Sequence, residues 1–414
     1  MPGGGGTSGT SAMDEENTYW RRNLIVCVIG SFTTLVAMSL LLPFLPLYVE
    51  ELGVTGHAAI AQWSGVAYSA TFFAAALVAP VWGRFADRYG RKLMLMRASL
   101  GMAIAMSLMG MANNIWQLVG LRLFAGFAGG YSSGSTILVA TQTPKQRSGW
   151  ALGMLTSGIM AGNLVGPLIG GSLPPLIGIR GTFWLAGFVI FLAFLATTFL
   201  IKEEKRSALT KKASAEIGWS QIPDKRPVIA MLVMGMLLTL AIMSIEPIIT
   251  LYVGQFVEPS RVTFVSGLTM SAAALGSILS ASRLGRLADR VGHWRVIFGA
   301  LTASALLLIP QAFVTAGWQL VGLRFLMGLA LGGLMPSVTS VLRHSVPDAI
   351  AGRVLGYATS SNFVGQVAGP LLGGFVGGHI GMRAVFLGTA ALMALGAVYA
   401  RIATPARVRL AGGA

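Results

Sequence analysis

From Asn23 to Val49 the chain runs 27 residues without one charged side chain. About 20 apolar residues suffice for an α-helix to cross the hydrocarbon core of a bilayer. No water satisfies the backbone there, so such a run must close its own hydrogen bonds as a helix. Val228 to Ile245 is a second clean run. Apolar spans recur at 24–49, 60–82, 92–112, 115–140, 149–173, 182–201, 228–253, 262–282, 294–315, 317–341, 353–377 and 383–403. Apolar residues make up 54% of the chain and charged residues 11%, both displaced from soluble averages in the same direction. The pattern predicts an all-α membrane protein with twelve transmembrane helices, embedded in a lipid bilayer.

The net charge of +16 could point to nucleic acid, but its placement argues against it. If the N-terminus is cytoplasmic, 25 of the 30 Lys and Arg fall in cytoplasmic segments. Arg122 and Arg324 lie within spans, and Arg180, Arg261 and Arg383 fall on the outer side. That asymmetry is the positive-inside pattern and predicts both termini in the cytoplasm. The single cysteine, Cys27, excludes a disulfide within the chain.

The chain is written twice. WQLVGLR occurs at Trp116–Arg122 and again, 202 residues on, at Trp318–Arg324. GRFADR (Gly83–Arg88) returns as GRLADR (Gly285–Arg290), LYV at Leu47 as LYV at Leu251, and GPLIGG at Gly166 as GPLLGG at Gly369. GIR at Gly178 returns as GMR at Gly381. A six-span unit is therefore duplicated, and two six-helix bundles are expected, at 23–201 and 227–404. The expected remainder is a disordered cytoplasmic tail over 1–22, a charged cytoplasmic linker over 202–226 and a cytoplasmic tail over 405–414. Two halves with the same topology can rock about a site at mid-membrane between them.

GRFADRYGRK (Gly83–Lys92) joins the second and third spans. It resembles the loop signature of the major facilitator superfamily, G-x-x-x-D-R-x-G-R-[RK], with every specified position filled: Gly83, Asp87, Arg88, Gly90, Arg91 and Lys92. The second copy keeps Gly285, Asp289, Arg290 and Gly292 and loses the final basic pair. The resemblance implies that Asp87, with Arg88 and Arg91, latches the cytoplasmic side while the protein faces out. The fifth span carries G-x-x-x-G-x-x-x-G-P-x-x-G-G at Gly158, Gly162, Gly166, Pro167, Gly170 and Gly171. Glycines four apart share a slowly drifting face suited to close helix contact. The motif is similar to that of the twelve-span drug:proton antiporter branch, which importers of the superfamily lack; ordinary packing glycines are the plainer explanation.

Charged side chains inside a membrane are expensive and call for a partner. Arg122, in LRLFAGFAGG, resembles the family's intramembrane arginine, which the branch ties to proton coupling. Its usual acidic partner in the first span is missing, since no carboxylate occurs there before Glu50 and Glu51 at the outer end. Arg324 repeats its local sequence. Backbone carbonyls or lipid headgroups are the structural alternative for both arginines. Among the acids only Glu246, in IEPIITLY, lies clearly inside a span. It is a candidate proton carrier or drug-attracting group, or else a glutamate reaching outer-surface water, with Glu50 and Glu51 as fallback.

No Walker loop, dinucleotide fingerprint or zinc-protease motif occurs, and G-x-S-x-G at Gly130–Gly134 falls in an apolar helix rather than at a nucleophile elbow. His57, His293, His344 and His379 lack metal-ligand spacing. The reading is a monomeric secondary transporter of the bacterial inner membrane, not an enzyme. It needs no cofactor or metal, is driven by the proton gradient, and exports amphipathic or lipophilic drugs. A narrow-substrate exporter, for instance of sugars, would need polar pocket groups such as Asn163, Asn362 and Gln366. A non-transporting receptor or scaffold would need neither the latch signature nor the intramembrane charges.

Overall fold

The computed structural model describes residues 9–203 and 225–404, so the C-terminal tail and most of the linker lie outside the described residues. All regular structure among the described residues is helical. Ten helical segments are long and apolar enough to cross a membrane. The other two expected spans, the fourth and the eleventh, are helical as well.

The first span is a helix, Gly9–Ser39, followed by a 3₁₀ turn, Leu42–Phe44, and a short helix, Leu45–Glu51. The second is His57–Tyr89 and the third Arg91–Met109. The fourth is broken at Gly129–Gly130 into Ile115–Ala128 and Tyr131–Gln142. The fifth and sixth are Ser148–Ser172 and Pro174–Leu200. The seventh repeats the first: Lys225–Ile245, a 3₁₀ turn Glu246–Ile248, then Ile249–Val253. The eighth and ninth are Val262–Val291 and His293–Gln311. The tenth is Gly317–Leu331 plus Leu334–His344, the eleventh Asp348–His379, the twelfth Met382–Ala403.

Two boundaries differ from the sequence expectation. Residues 9–22, expected as disordered tail, belong to the first helix. Hydropathy marks the lipid-immersed part of a helix and not its end, and Ala12, Met13, Glu15 and Glu16 are good helix formers. The latch signature is not a loop: Gly83–Tyr89 forms the last two turns of the second helix, and the chain turns at Gly90. Gly90 and its counterpart Gly292 take φ near +96° and +97°, which favours glycine and explains why both copies keep it.

The duplication is visible in the packing. The first span lies against the fifth as the seventh lies against the eleventh. The second packs on the fourth as the eighth packs on the tenth, and the third on the sixth as the ninth on the twelfth. Tyr48 donates to the Met109 carbonyl and leans on Phe183, while Tyr252 donates to the Gln311 carbonyl at 2.9 Å and leans on Phe386.

The halves meet where the second span crosses the eleventh and the fifth crosses the eighth. A Cβ on Gly65 would overlap the Pro370 carbonyl, and one on Gly267 would overlap the Pro167 carbonyl. Ser69 Oγ donates to the Val367 carbonyl and Ser271 Oγ to the Leu164 carbonyl, both at 2.7 Å. Thr250 Oγ1 donates to the Pro43 carbonyl at 3.0 Å. These contacts come from the halves of the helices remote from the Gly83–Lys92 turn. Nearer that turn, Gly83, Gly149, Gly153, Gly285, Gly352 and Gly356 have nothing within 4 Å of a would-be Cβ. The molecule is thus closed at one end, called the far end below, and splayed at the other, the basic end.

Substituting Gly65→Leu or Gly267→Leu forces a side chain into a backbone carbonyl. Overpacking of this kind costs about 1–3 kcal/mol. The unfolding midpoint of the detergent-solubilised protein should fall for both, and stay unchanged or rise for Gly83→Ala.

Candidate functional site

Two arginines and one acid sit inside the membrane-spanning region, and the fold brings them to one level. Arg122, on the fourth span, is 3% exposed. Its Nε donates to the Ala67 carbonyl of the second span at 3.0 Å, and Thr71 Oγ1 of that span donates back to the Arg122 carbonyl at 3.0 Å. Its guanidinium lies 5.6 Å from the centre of the Tyr68 ring. The structural alternative raised for this residue, pairing with backbone carbonyls, is therefore what its geometry shows, with an aromatic face added.

Arg324, the duplicate, is 2% exposed, and its Nε and Nη2 are buried without a hydrogen-bond partner. It faces Glu246 electrostatically. Glu246 opens the 3₁₀ turn of the seventh span, where Pro247 interrupts the helix, and its Oε2 is likewise buried and unpartnered. The two make no direct ion pair, which leaves a gap between opposite charges in a poorly solvated place. A water or a ligand atom filling that gap would satisfy both. Tyr68, 6% exposed on the second span, faces Glu246 from the other half of the molecule. The set therefore runs Arg122, Tyr68, Glu246, Arg324, across the seam between the bundles.

Sequence reasoning named three of these four and missed Tyr68. Its signal was its place three residues after Gly65, on the face that meets the partner bundle. The symmetry is broken here. Glu246–Ile248 aligns with Leu42–Phe44, so an acid stands where the first half has leucine, and Met270 stands where the first half has Tyr68.

The remaining candidates lie elsewhere. Glu50 and Glu51 are exposed at the far end, and Glu51 pairs with Arg180 at 3.4 Å. In the latch signature Asp87 is exposed and ion-paired with Arg91 across the turn at Gly90. Arg88 is exposed, its guanidinium 5.4 Å from the Tyr89 ring. Asp289 pairs with His293 at 3.6 Å, and Arg290 is exposed. The amides of Arg91 and Lys92 at the start of the third helix donate to Glu203, both at 2.7 Å. A carboxylate at a helix N-terminus meets free N–H groups and the favourable end of the dipole. In this structure Glu203, and not Asp87 of the latch signature, takes that place.

The fifth-span motif is a packing face. A Cβ on Gly158, Gly162, Gly166 or Gly170 would run into Val28, Phe32 and Leu35, Val36 and Ser39, or Leu40 of the first span. Gly365, Gly369, Gly373 and Gly377 meet Met236, Leu240, Ser244 and Ile248 of the seventh in the same way. Pro167 instead turns its carbonyl to the eighth span. Of the polar pocket candidates, Asn163 is exposed, Gln366 half-buried, and Asn362 keeps a buried, unpartnered Oδ1. No group of three or more metal-binding side chains occurs among the described residues.

Several known proteins share this chain's sequence or its fold. The chain is 45% identical over 382 residues to "Multidrug resistance protein MdtG" of Enterobacter lignolyticus, covering 92% of this chain and 91% of that one. It is 45% identical over 383 residues to the protein of that name from Salmonella typhimurium, covering 92% and 95%. A D-xylose–proton symporter superposes with a TM-score of 0.75 at 15% identity, over 94% of this chain and 98% of that one. A bacterial homologue of the human lysosomal transporter Spinster, inward-facing and unoccupied, superposes with a TM-score of 0.74 at 14% identity, over 95% and 98%. The family model of the Major Facilitator Superfamily matches residues 27–317 and again 262–413, the second match echoing the duplication. The chain, a multi-pass membrane protein, belongs to the Major Facilitator Superfamily of transporters.

Proposed function

We propose that this protein exports amphipathic or lipophilic drugs across the bacterial inner membrane in exchange for protons, and that Glu246 carries the proton. The observation that carries this reading is the unpartnered Oε2 of the half-buried Glu246, set between Tyr68 of one bundle and Arg324 of the other. The MdtG-named relatives support multidrug export.

The basic end faces the cytoplasm, as the positive-inside pattern requires, so both termini are cytoplasmic and the described form is open inward. Burial sets the balance between a carboxylate and its acid. Rocking the bundles about the far-end contacts changes the wetting of Glu246 and so passes its proton from one side to the other. Drug and proton need only differ in affinity between the two states to drive the exchange. Protonation of Glu246 also removes the negative charge that offsets Arg324, which links the proton to the packing of the tenth span. Arg122 holds the second and fourth spans together and presents Tyr68 to the acid. One chain contains both bundles, so the monomer is the working unit, and the gradient replaces any bound cofactor.

Asp87 latches the cytoplasmic end in the outward-facing state. Here that end is open and Asp87 is turned to Arg91 within its own bundle. Closing the end brings the start of the eleventh span toward it, where free amides favour an acid.

In inverted vesicles, lipophilic cations should cause drug-dependent proton movement, and Glu246→Gln should abolish it without loss of protein. Unchanged movement in that variant would reject Glu246 as the carrier. In a Cys27→Ser background, a cysteine at Gly153 should react with maleimide faster once Asp87→Asn is added, with slower drug export. Equal labelling would reject the latch.

A further inference from the structure

The first and sixth spans belong to the same bundle, and the seam between them is lined by residues of that bundle alone, with Ile25, Ile29, Val189 and Leu200 exposed along it. Two cavities lie end to end along it. One, of about 290 Å³, is lined by Arg22, Ile25, Ile29, Gly30, Ala193 and Ala196, among others. The next, of about 460 Å³, continues past Phe32, Val36 and Leu40 on the first span and Ala186 and Val189 on the sixth. From Arg22 to Leu40 a helix rises roughly 27 Å, close to the hydrocarbon thickness of a bilayer. The hydroxyls along the groove are satisfied within their own helices: Thr33 by Ile29, Ser172 by Leu168, Thr182 by Gly178. Its walls are therefore apolar in effect, and Ile25, Ile29 and Leu200 remain exposed beside it.

Only the basic end of the groove is charged. Arg22 sits there with its guanidinium 5.1 Å from the Tyr19 ring, which occupies a face and leaves the N–H edge free. Its Nε and Nη2 are buried and find no acceptor among the described residues. Arg21 and Lys202 are exposed beside it; Asn23 fixes Lys202 there by donating to its carbonyl at 2.7 Å and accepting from its amide at 3.1 Å. The neighbouring acid, Glu203, is already taken by the third-helix amides. A half-buried arginine whose Nε and Nη2 lack an acceptor among the described residues, at the headgroup end of an apolar groove of chain length, matches one kind of molecule. It is an anion with a long hydrocarbon tail.

We propose that this seam binds one anionic phospholipid, with its phosphate on Arg22 and an acyl chain laid along Ile25, Ile29, Ala193 and Ala196. The assignment stands apart from the transport reading, because none of these residues belongs to the Arg122–Glu246 set.

Native mass spectrometry of the full-length, detergent-solubilised protein tests it, with phosphatidylglycerol and phosphatidylcholine of identical chains as probes. Wild type should hold the anionic lipid about fivefold more tightly, the worth of one basic side chain beside a headgroup. Arg22→Gln should remove that preference, while Arg21→Gln should keep it. Ala196→Trp, which fills the groove and leaves the charge, should weaken both lipids. Equal binding of the two lipids by wild type, or a preference that survives Arg22→Gln, would mean ordinary annular lipid and overturn the site. If Arg22→Gln does not fold, unchanged binding of both lipids to Ala196→Trp overturns it independently.

Discussion

The architecture hangs on a contact that is made twice. Gly65 lies against the Pro370 carbonyl, and Gly267 against the Pro167 carbonyl. Neither helix pair could approach as closely with a side chain in the way. Each contact is backed by a serine one turn on, Ser69 to Val367 and Ser271 to Leu164, so a polar bond fixes the register that the glycine permits. In lipid, where apolar tails give helices no hydrophobic reason to associate, close backbone approach and interhelical hydrogen bonds are what joins them. Both joints are confined to the far half of the helices. The prolines add local compliance, since each removes a backbone N–H from its helix.

The scaffold is nearly symmetric and its charges are not. The halves share the arginine at 122 and 324, the 3₁₀ break at 42–44 and 246–248, and the tyrosine at 48 and 252. They part at Leu42 against Glu246 and at Tyr68 against Met270. Arg122 has lost any acid in its own bundle and is held by backbone and ring. Arg324 has gained one and has neither backbone nor ring in its place. A buried charge deprived of its partner is costly. The break in the duplication is therefore where Glu246 stands to offset the charge of Arg324.

Much of this was legible in the sequence because lipid imposes strict rules. Charge-free runs had to be helices, and the offset of 202 to 204 had to mean two like bundles. Glycines spaced by four had to be contact faces, and Gly158 to Gly170 are that, against the first span. What the sequence hid depends on who the neighbours are. Tyr68 reads as one more aromatic until the second span is laid on the seventh. Glu203 reads as part of a charge run until the third helix presents its amides. The fourth span reads as continuous, although Gly129 and Gly130 divide it and Arg97 caps the break, donating to the Phe127 and Gly129 carbonyls at 3.1 and 2.8 Å. Hydropathy reports depth in lipid, not capping or contact.

The capping of the third helix bears on how the basic end moves. Glu203 ties the end of the sixth span to the turn after the second, and Asn23 ties the first span to Lys202 beside it. The first, second, third and sixth spans are thus laced together at their basic ends. Gly83, Gly153, Gly285 and Gly356, by contrast, face open space there. The lacing is within one bundle, and the contacts with the other bundle lie at the far-end joints. Asp87 belongs to that bundle, exposed and paired with Arg91 across the turn at Gly90. At such a solvated helix end an ion pair is worth little, about 0.2–1 kcal/mol. It is a weaker tie than the half-buried Glu203 cap or the Gly–Pro joints. The weak contact, Asp87 with Arg91, is therefore at the basic end beside the Glu203 cap, and the Gly–Pro joints hold the far end.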